Sequence, residues 1–374
     1  MLQLLFMIIV AFLILAMVCG VLMLWKIPVP GQIKEELSGN PSITVIIPAR
    51  NEEGRLQPLL ESLQKQSLKP KEIIVVDDES TDRTVQIANE FGGRVIQTHE
   101  GDLSWKGKSA TCWIGSKAAA GDWLLFLDAD TRLEHENSLK TLALNYQSQG
   151  ASGILSVQPY HKVNKLYENF SAIFNIIVIT GMNVFTVWST RLESAGAFGP
   201  CILTARKDYM DAGGHFVVGE AIMDDFELAK AFKKIGIPVR CISGRGVLNF
   251  QMYPEGMNSL IEGWTKNFGT ASRSTHPLVM SLISTWISGS FLPIALLILG
   301  FYIGSVSWIA IACICYVGFM IQVYLMARRT GNFRFYVFII YPILFFFFIG
   351  IFSWSLVRTK LFRTVTWKGR KINV

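Results

Sequence analysis

The sequence predicts an α/β domain carried between N-terminal and C-terminal transmembrane helices. Short β-branched apolar runs alternate with helical patterns between residues 42 and 127, the rhythm of a parallel sheet with crossover helices. Long apolar runs at 2–25, 278–326 and 335–357 bracket that stretch. Three acidic landmarks lie between them: Asp77-Asp78 in VVDDES, Asp128-Ala129-Asp130 in LFLDAD, and Asp224-Asp225 in MDDFELAK.

Only 17% of the 374 residues are charged and 51% are hydrophobic, and the apolar excess is concentrated in those runs. A bilayer-crossing helix needs roughly 20 apolar residues. The first run holds one span, the second two with a turn at Gly304-Ser305, and the third one, with Pro342 inside it. The first run lacks a basic start and a small-residue cleavage site, so it reads as an anchor and not a signal peptide. Lys26 and Lys34 follow it, which places the next domain in the cytoplasm. The expected organisation is an anchor at 1–26, a connector at 27–41, a cytoplasmic domain at 42–275, a C-terminal membrane region at 276–357 and a basic tail at 358–374. Three C-terminal spans would carry that tail to the opposite side. A re-entrant 335–357 segment, broken at Pro342, would return it to the cytoplasm.

The net charge of +7 does not indicate nucleic-acid binding. Much of it sits in Arg328, Arg329, Arg334 and the tail residues Arg358, Lys360, Arg363, Lys368, Arg370 and Lys371, where basic side chains anchor spans to headgroups. The six cysteines form no CxxC or zinc pattern, as expected of a reducing compartment.

Strands are expected at 42–48 (SITVIIP), 72–76 (EIIVV), 94–97 (RVIQ) and 123–127 (WLLFL). Helices are expected at 52–66, with Leu56, Leu59, Leu60 and Leu63 on one face, at 82–91 capped by Ser80 or Thr81, and at 108–120. Parallel sheets bind ligands beyond the carboxyl ends of their strands. Arg50, Asn51, Asp77, Asp78, Asp128 and Asp130 all fall there.

Each candidate has a plain structural alternative. Asp128 and Asp130 form a DxD after an apolar strand, fit to give hard oxygen ligands to Mg2+ or Mn2+ shared with substrate phosphates. A solvated turn is the alternative. Asp78 suits a ribose hydroxyl or a nucleobase N–H, and Glu52 would assist from the neighbouring strand. Glu53 and Glu79 read as charges favoured by helix N-termini. Trp105–Ser109 (WKGKS) is not a phosphate loop, since Asp102 stands where the first glycine belongs. Lys108 is either a nucleotide contact or a solvated lysine. Asp224 and Asp225 are caps of a following helix or, for one of them, a general base on an acceptor. The five histidines make no metal pattern, and His215, after Gly213-Gly214, is the one nearest a probable loop. Residues 170–188, interrupted by Asn175, Thr180, Gly181 and Asn183, read as an amphipathic interfacial helix at the mouth of an acceptor tunnel.

PARNEE, VVDDESTDRT, LFLDAD and MDDFELAK, in this order over residues 42–235, resemble the landmarks of family 2 inverting glycosyltransferases with a GT-A fold. The resemblance implies a nucleotide-sugar (UDP-sugar) donor, Asp78 on the nucleobase, Asp130 with Asp128 on the metal, and Asp225 as catalytic base. LSVQPYH (155–161), GMNVF (181–185), AFGPCILT (197–204), GGH (213–215), EGWTKN (262–267) and WKGR (367–370) resemble the bacterial carotenoid-acid members of that family. Those members imply UDP-glucose as donor and the carboxyl of a carotenoid acid such as 4,4'-diaponeurosporenoate as the lipophilic acceptor. Other membrane lipids, such as a hopanoid, diacylglycerol or polyprenyl phosphate, are the competing acceptors, and a non-catalytic nucleotide-sugar-binding scaffold is the competing class. The chain departs from the QxxRW of many membrane members, reading LIEGW at 260–264, so Trp264, Lys266 or Arg273 would have to serve the diphosphate or acceptor.

Overall fold

The computed structural model describes residues 2–31, 36–98, 103–221, 223–271, 274–358, 364–367 and 370–373, with side chains of 266–271 and of the two tail segments left out. Lys34, His99, Asp102, Arg273 and Lys368, and the side chains of Lys266 and Arg370, therefore lie outside the described residues.

In chain order the elements are α1 (Leu2–Met23), β1 (Ile43–Ala49), α2 (Glu53–Gln64), β2 (Glu72–Asp77), α3 (Thr84–Glu90), β3 (Arg94–Gln97), α4 (Lys108–Ala118), β4 (Trp123–Leu127), β5 (Thr131–Leu133) and α5 (Ser138–Ser148). They continue with β6 (Ile154–Gln158), β7 (Tyr160–His161), α6 (Ala172–Gly181), β8 (Cys201–Ala205), α7 (Arg206–Asp211), α8 (Gly214–Val218), α9 (Asp224–Lys234), β9 (Val239–Ser243) and β10 (Leu248–Phe250). The remainder is α10 (Met257–Ala271), α11 (Pro277–Gly289), α12 (Leu292–Ile303), α13 (Val306–Thr330), α14 (Tyr341–Val357) and the hairpin β11 (Thr364–Trp367) and β12 (Arg370–Asn373).

The chain divides into two compact units. The first to be considered comprises 28–161 and 196–252 and is built on a seven-stranded sheet of order β3-β2-β1-β4-β8-β6-β9. The expected strands and helices are present, with ends moved by a few residues. The sheet is mixed, not wholly parallel: β3, β2, β1 and β4 run parallel, while β8 is antiparallel to β4 and β6. The chain leaves β1 toward β2 and β3 and returns to β4 on the other flank. That reversal opens a crevice past the carboxyl ends of β1 and β4. Because β8 is reversed, its first residue, Cys201, pairs with Leu127 and brings the 196–200 loop to the same edge.

The strands are buried on both faces, as the continuous apolar runs require. One face packs Val45, Ile47, Leu125 and Leu127 against Leu56, Leu59, Leu60 and Leu63 of α2 and against α5. The other packs Ile46, Ile74, Val76 and Phe126 against α4 and α9. Gly115 lets α4 sit close: a Cβ there would lie 2.6 Å from Ile46 Cγ2. The first turn of α3 is not capped by Ser80 or Thr81. Asp82 Oδ1 accepts the Thr84 N–H at 3.0 Å instead.

The second unit comprises 1–27, 162–195 and 253–374. Among the described residues, four of its helical segments are long and apolar enough to cross a membrane: Leu2–Met23, Pro277–Ile303, Val306–Thr330 and Phe335–Val357. Gly304 ends α12 in the left-handed region (φ 71°), so the turn falls where the sequence placed it. The last segment changes helix type just before Pro342. A 3-10 turn, Phe335–Ile340, leads into α14, and Pro342 occupies its first turn, where a missing N–H leaves no bond unmade.

Residues 170–188 are not an amphipathic surface helix. The ten-residue α6 is buried almost all round, including Ile173, Phe174, Asn175, Ile176 and Thr180. Its polar groups are satisfied by its own backbone: Asn175 Nδ2 donates to Ser171 O at 2.9 Å and Thr180 Oγ1 to Ile176 O at 2.8 Å.

Candidate active site

The carboxyl ends of β1, β2 and β4 deliver the predicted residues to one edge of the sheet. The two loops after β1 and β2 are stitched together. Asn51 N donates to Ser80 Oγ at 2.9 Å, and Thr81 N donates to Asn51 Oδ1 at 2.8 Å. Asn51 (φ 50°) and Glu79 (φ 58°) both adopt left-handed backbone, unusual for residues with a Cβ. Glu79 is not a helix-terminus charge. It pairs with Lys106 at 2.6 Å and faces Arg50 at 3.9 Å. Glu53 does open α2, where its carboxylate accepts Arg83 N at 3.1 Å.

Arg50 reaches across to the second strand end. Its Nη1 donates to Asp78 O at 3.1 Å and to Asp78 Oδ2 at 3.3 Å. Asp77 is buried too, and its Oδ1 has no hydrogen-bond partner, although Oδ2 accepts Ser80 N at 3.2 Å. A buried carboxylate oxygen left unpaired is costly inside a protein, which marks Asp77 as a position that sequence spacing did not separate from Asp78.

Past β4, Lys108 gathers the acidic residues. It opens α4 behind Gly107, whose φ of 96° suits glycine. Its Nζ lies 2.9 Å from Asp128 Oδ1 and 3.2 Å from Oδ2, donates to Gly199 O at 3.3 Å, and stands 3.8 Å from Asp225 Oδ1. Lys108 is thus no solvated loop lysine. Asp224 and Asp225 lie in the first turn of α9, behind the N-cap residue Met223. Asp225 Oδ1 is buried with no hydrogen-bond partner. The loop at 196–200 passes directly over it: a Cβ on Gly199 would collide with the Asp225 carboxylate.

Lys108, Asp128 and Asp225 keep 31%, 28% and 20% of their side-chain surface open. They are largely enclosed by protein yet still reachable from solvent. Burial works against the Lys108 charge, and Asp128, Asp225 and Asp224 overcome it, holding the ammonium well above the usual lysine range. Burial raises Asp225 well above the usual carboxylate range, with Asp224 adding to it and Lys108 opposing. Asp130 is pushed up to about 7, first by burial and then by Asp128; Arg55 opposes and Glu52 adds. Glu52 and its i,i+3 partner Arg55, 3.8 Å apart, are therefore the flank of Asp130.

His215 is buried beside Phe126 of β4. Its Nδ1 is 2.8 Å from the Tyr209 hydroxyl, which also accepts the His215 N–H at 3.0 Å. Burial, with Lys108 second, pushes His215 down to about 3, so the ring is neutral and structural. Among the other histidines, His161 stacks edge-on against Phe250, and His276 Nδ1 caps α11 by accepting Leu278 N.

Trp264 belongs to the other unit. It is buried, stacks on Phe174 at 4.8 Å, and donates its indole N–H to Ser171 Oγ at 3.0 Å. Its one polar atom is already engaged. Lys108 is a cation that the structure brings to Asp128 and Asp225.

Among the described residues no three His, Cys, Asp or Glu side chains cluster as a metal site. The donor chemistry nevertheless suits a hard cation. Asp128 and Asp130 offer hard oxygens, and Asp130 is crowded by anions that a cation would relieve.

A mixed sheet with acidic residues past its strand ends is the architecture of a GT-A type glycosyltransferase, and the second unit adds helices long and apolar enough to cross a membrane. The sequence profile of "Glycosyl transferase family 2" matches residues 44–209, and the chain belongs to that family. It is similar to the 4,4'-diaponeurosporenoate glycosyltransferases of Staphylococcus aureus strains bovine RF122 / ET3-1 and USA300. Each is 38% identical over 334 residues, covering 89% of this chain and 88% of the relative. Among solved structures, the mannosyltransferase PcManGT of Pyrobaculum calidifontis, in complex with GDP-Man and Mn2+, shares the fold. It has a TM-score of 0.51 and 15% identity, covering 96% of this chain and 100% of that one.

Proposed function

We propose that this enzyme transfers glucose from UDP-glucose, with inversion, to the carboxyl of a membrane-dissolved carotenoid acid such as 4,4'-diaponeurosporenoate. The whole-chain similarity to the diaponeurosporenoate glycosyltransferases supports the acceptor. One observation carries the mechanism: Asp128, Asp225 and Lys108 meet within 3.8 Å at the end of β4.

Asp78, held by Arg50, would take the nucleoside. Asp128 and Asp130 would hold a divalent cation, Mg2+ or Mn2+, which when bound offsets the charge of the departing diphosphate. Lys108 would give its ammonium to a diphosphate oxygen. Asp225 would face the acceptor with its unpartnered Oδ1, where it would accept the proton of a neutral acceptor. A free carboxylic acid is already ionised near neutrality, so such an acceptor asks Asp225 chiefly to orient it. A protonated Asp225, favoured by its raised pKa, donates a hydrogen bond to that carboxylate. Lys26, directly after the first span, supports a cytoplasmic catalytic domain.

Two readouts on one reaction test the proposal. Membranes bearing the enzyme receive UDP-glucose and equal amounts of a carotenoid acid, a diacylglycerol and a hopanoid. The product should be the carotenoid ester alone, with the β anomeric configuration. A glycosylated diacylglycerol or hopanoid, or an α-linked ester, would overturn the acceptor or the inversion respectively.

A further inference from the structure

We infer that Lys108 is a built-in cation that keeps a divalent metal off Asp128 until a nucleoside diphosphate draws its ammonium away. Metal and donor then load together and not independently. The inference deepens the reading that Asp128 and Asp130 hold the metal, and rests on it.

The ammonium does not merely approach Asp128; it addresses both carboxylate oxygens, at 2.9 and 3.2 Å. A small divalent ion sits about 2.1 Å from a carboxylate oxygen. Two cations cannot share that face without strong repulsion. The perch is also complete. An ammonium has three donors, and the two Asp128 oxygens and the Gly199 carbonyl at 3.3 Å stand within reach of them, while the Asp225 carboxylate at 3.8 Å adds its charge.

The lysine is anchored at its base by the backbone, while its tip is held only by these polar contacts. Its backbone is the first residue of α4, after the Gly107 turn, so the four-carbon stem is what can swing. With Asp128 covered, a lone metal ion meets one open member of the DxD, and no third His, Cys, Asp or Glu among the described residues completes a site. A diphosphate changes this balance, because it offers the ammonium more strongly charged oxygens. Once Lys108 turns to it, Asp128 is released to the metal. By linkage, metal and diphosphate must then tighten one another by the same factor.

The test is a Mn2+ titration of the detergent-solubilised full chain, reading free Mn2+ by electron paramagnetic resonance, with and without UDP. Wild type should bind Mn2+ weakly alone and more tightly with UDP. Lys108→Met should bind Mn2+ alone about tenfold more tightly than wild type, a shift equal to about 1.4 kcal/mol. Arg55→Met removes the same charge from beside Asp130 without uncovering a carboxylate; it should change Mn2+ affinity by less than about threefold. Lys108→Gln repeats the measurement should Lys108→Met fail to fold. Equal Mn2+ affinity in the Lys108 variants and wild type would overturn the inference. So would an Arg55→Met effect as large as theirs, which would mean bulk charge alone. Wild type that binds no Mn2+ even with UDP would overturn the metal assignment beneath it, a separate result.

Discussion

The Asp225 carboxylate lies where a side chain on Gly199 would be, so the glycine and the aspartate occupy one space between them. The loop that β8 brings back to the end of β4 thereby fixes the acid's position from above, while the first turn of α9 fixes it from below.

Gly199→Ala should therefore displace Asp225. Transfer should fall more than about tenfold, and stability by about 1–3 kcal/mol, as for other overpacked sites. The double variant Gly199→Ala/Asp225→Ala should regain most of the lost stability but no activity. Thermal melts of the four proteins in this cycle measure the coupling. Additive stability losses would show that the two residues do not compete for space.

Asp130 predicts two pH effects. Its folded pKa of about 7 lies above the ordinary value near 3.8. Between those values the folded chain binds more protons than the unfolded one, so stability falls as pH rises through that window. Asp130→Asn stays neutral. It should melt with wild type near pH 4 and above it beyond pH 7, without metal. Metal ligands must lose their proton, so Mn2+ affinity in the presence of UDP should rise with pH up to about 7 and then level off.

The Arg50–Asp78 pair predicts a defect in donor binding. Asp78→Ala should raise the donor KM by about 10–100-fold while kcat moves much less, the pattern of a contact made equally in ground and transition states. Steady-state kinetics with UDP-glucose at saturating acceptor separates the two constants. A fall in kcat alone would remove Asp78 from donor binding.

Tyr209 holds buried His215 through two hydrogen bonds. Tyr209→Phe leaves a buried ring nitrogen and a backbone N–H without partners, each costing about 1–3 kcal/mol. The melting temperature should drop well below that of a surface Tyr→Phe control. His215, held neutral near pKa 3, should contribute no step to the pH-rate profile between pH 5 and 8.

Much of this site could be read from the sequence because periodicity and strand ends are local signals. The apolar runs before Arg50, Asp78 and Asp128 located those residues at one edge of a sheet, and they are there. What was missed depends on long-range topology. Nothing in AFGPC announces that β8 runs antiparallel, so Gly199 and its carbonyl could not be assigned to Lys108 and Asp225. The orphaned Asp77 oxygen is likewise a matter of packing, since Asp77 and Asp78 are indistinguishable in a VVDD run. Residues 170–188 misled because polar interruptions suggest a wet face, whereas Asn175 and Thr180 turn their polar atoms onto their own helix.

The most direct test of the account follows label from donor to lipid. Membranes containing the enzyme are incubated with radiolabelled UDP-glucose, Mn2+ and diaponeurosporenoic acid, and the lipids are extracted. A labelled, alkali-labile carotenoid should appear, and it should be absent with Asp130→Ala. Label in a different lipid, UDP released with no labelled lipid, or an undiminished product from Asp130→Ala would contradict the proposed transfer.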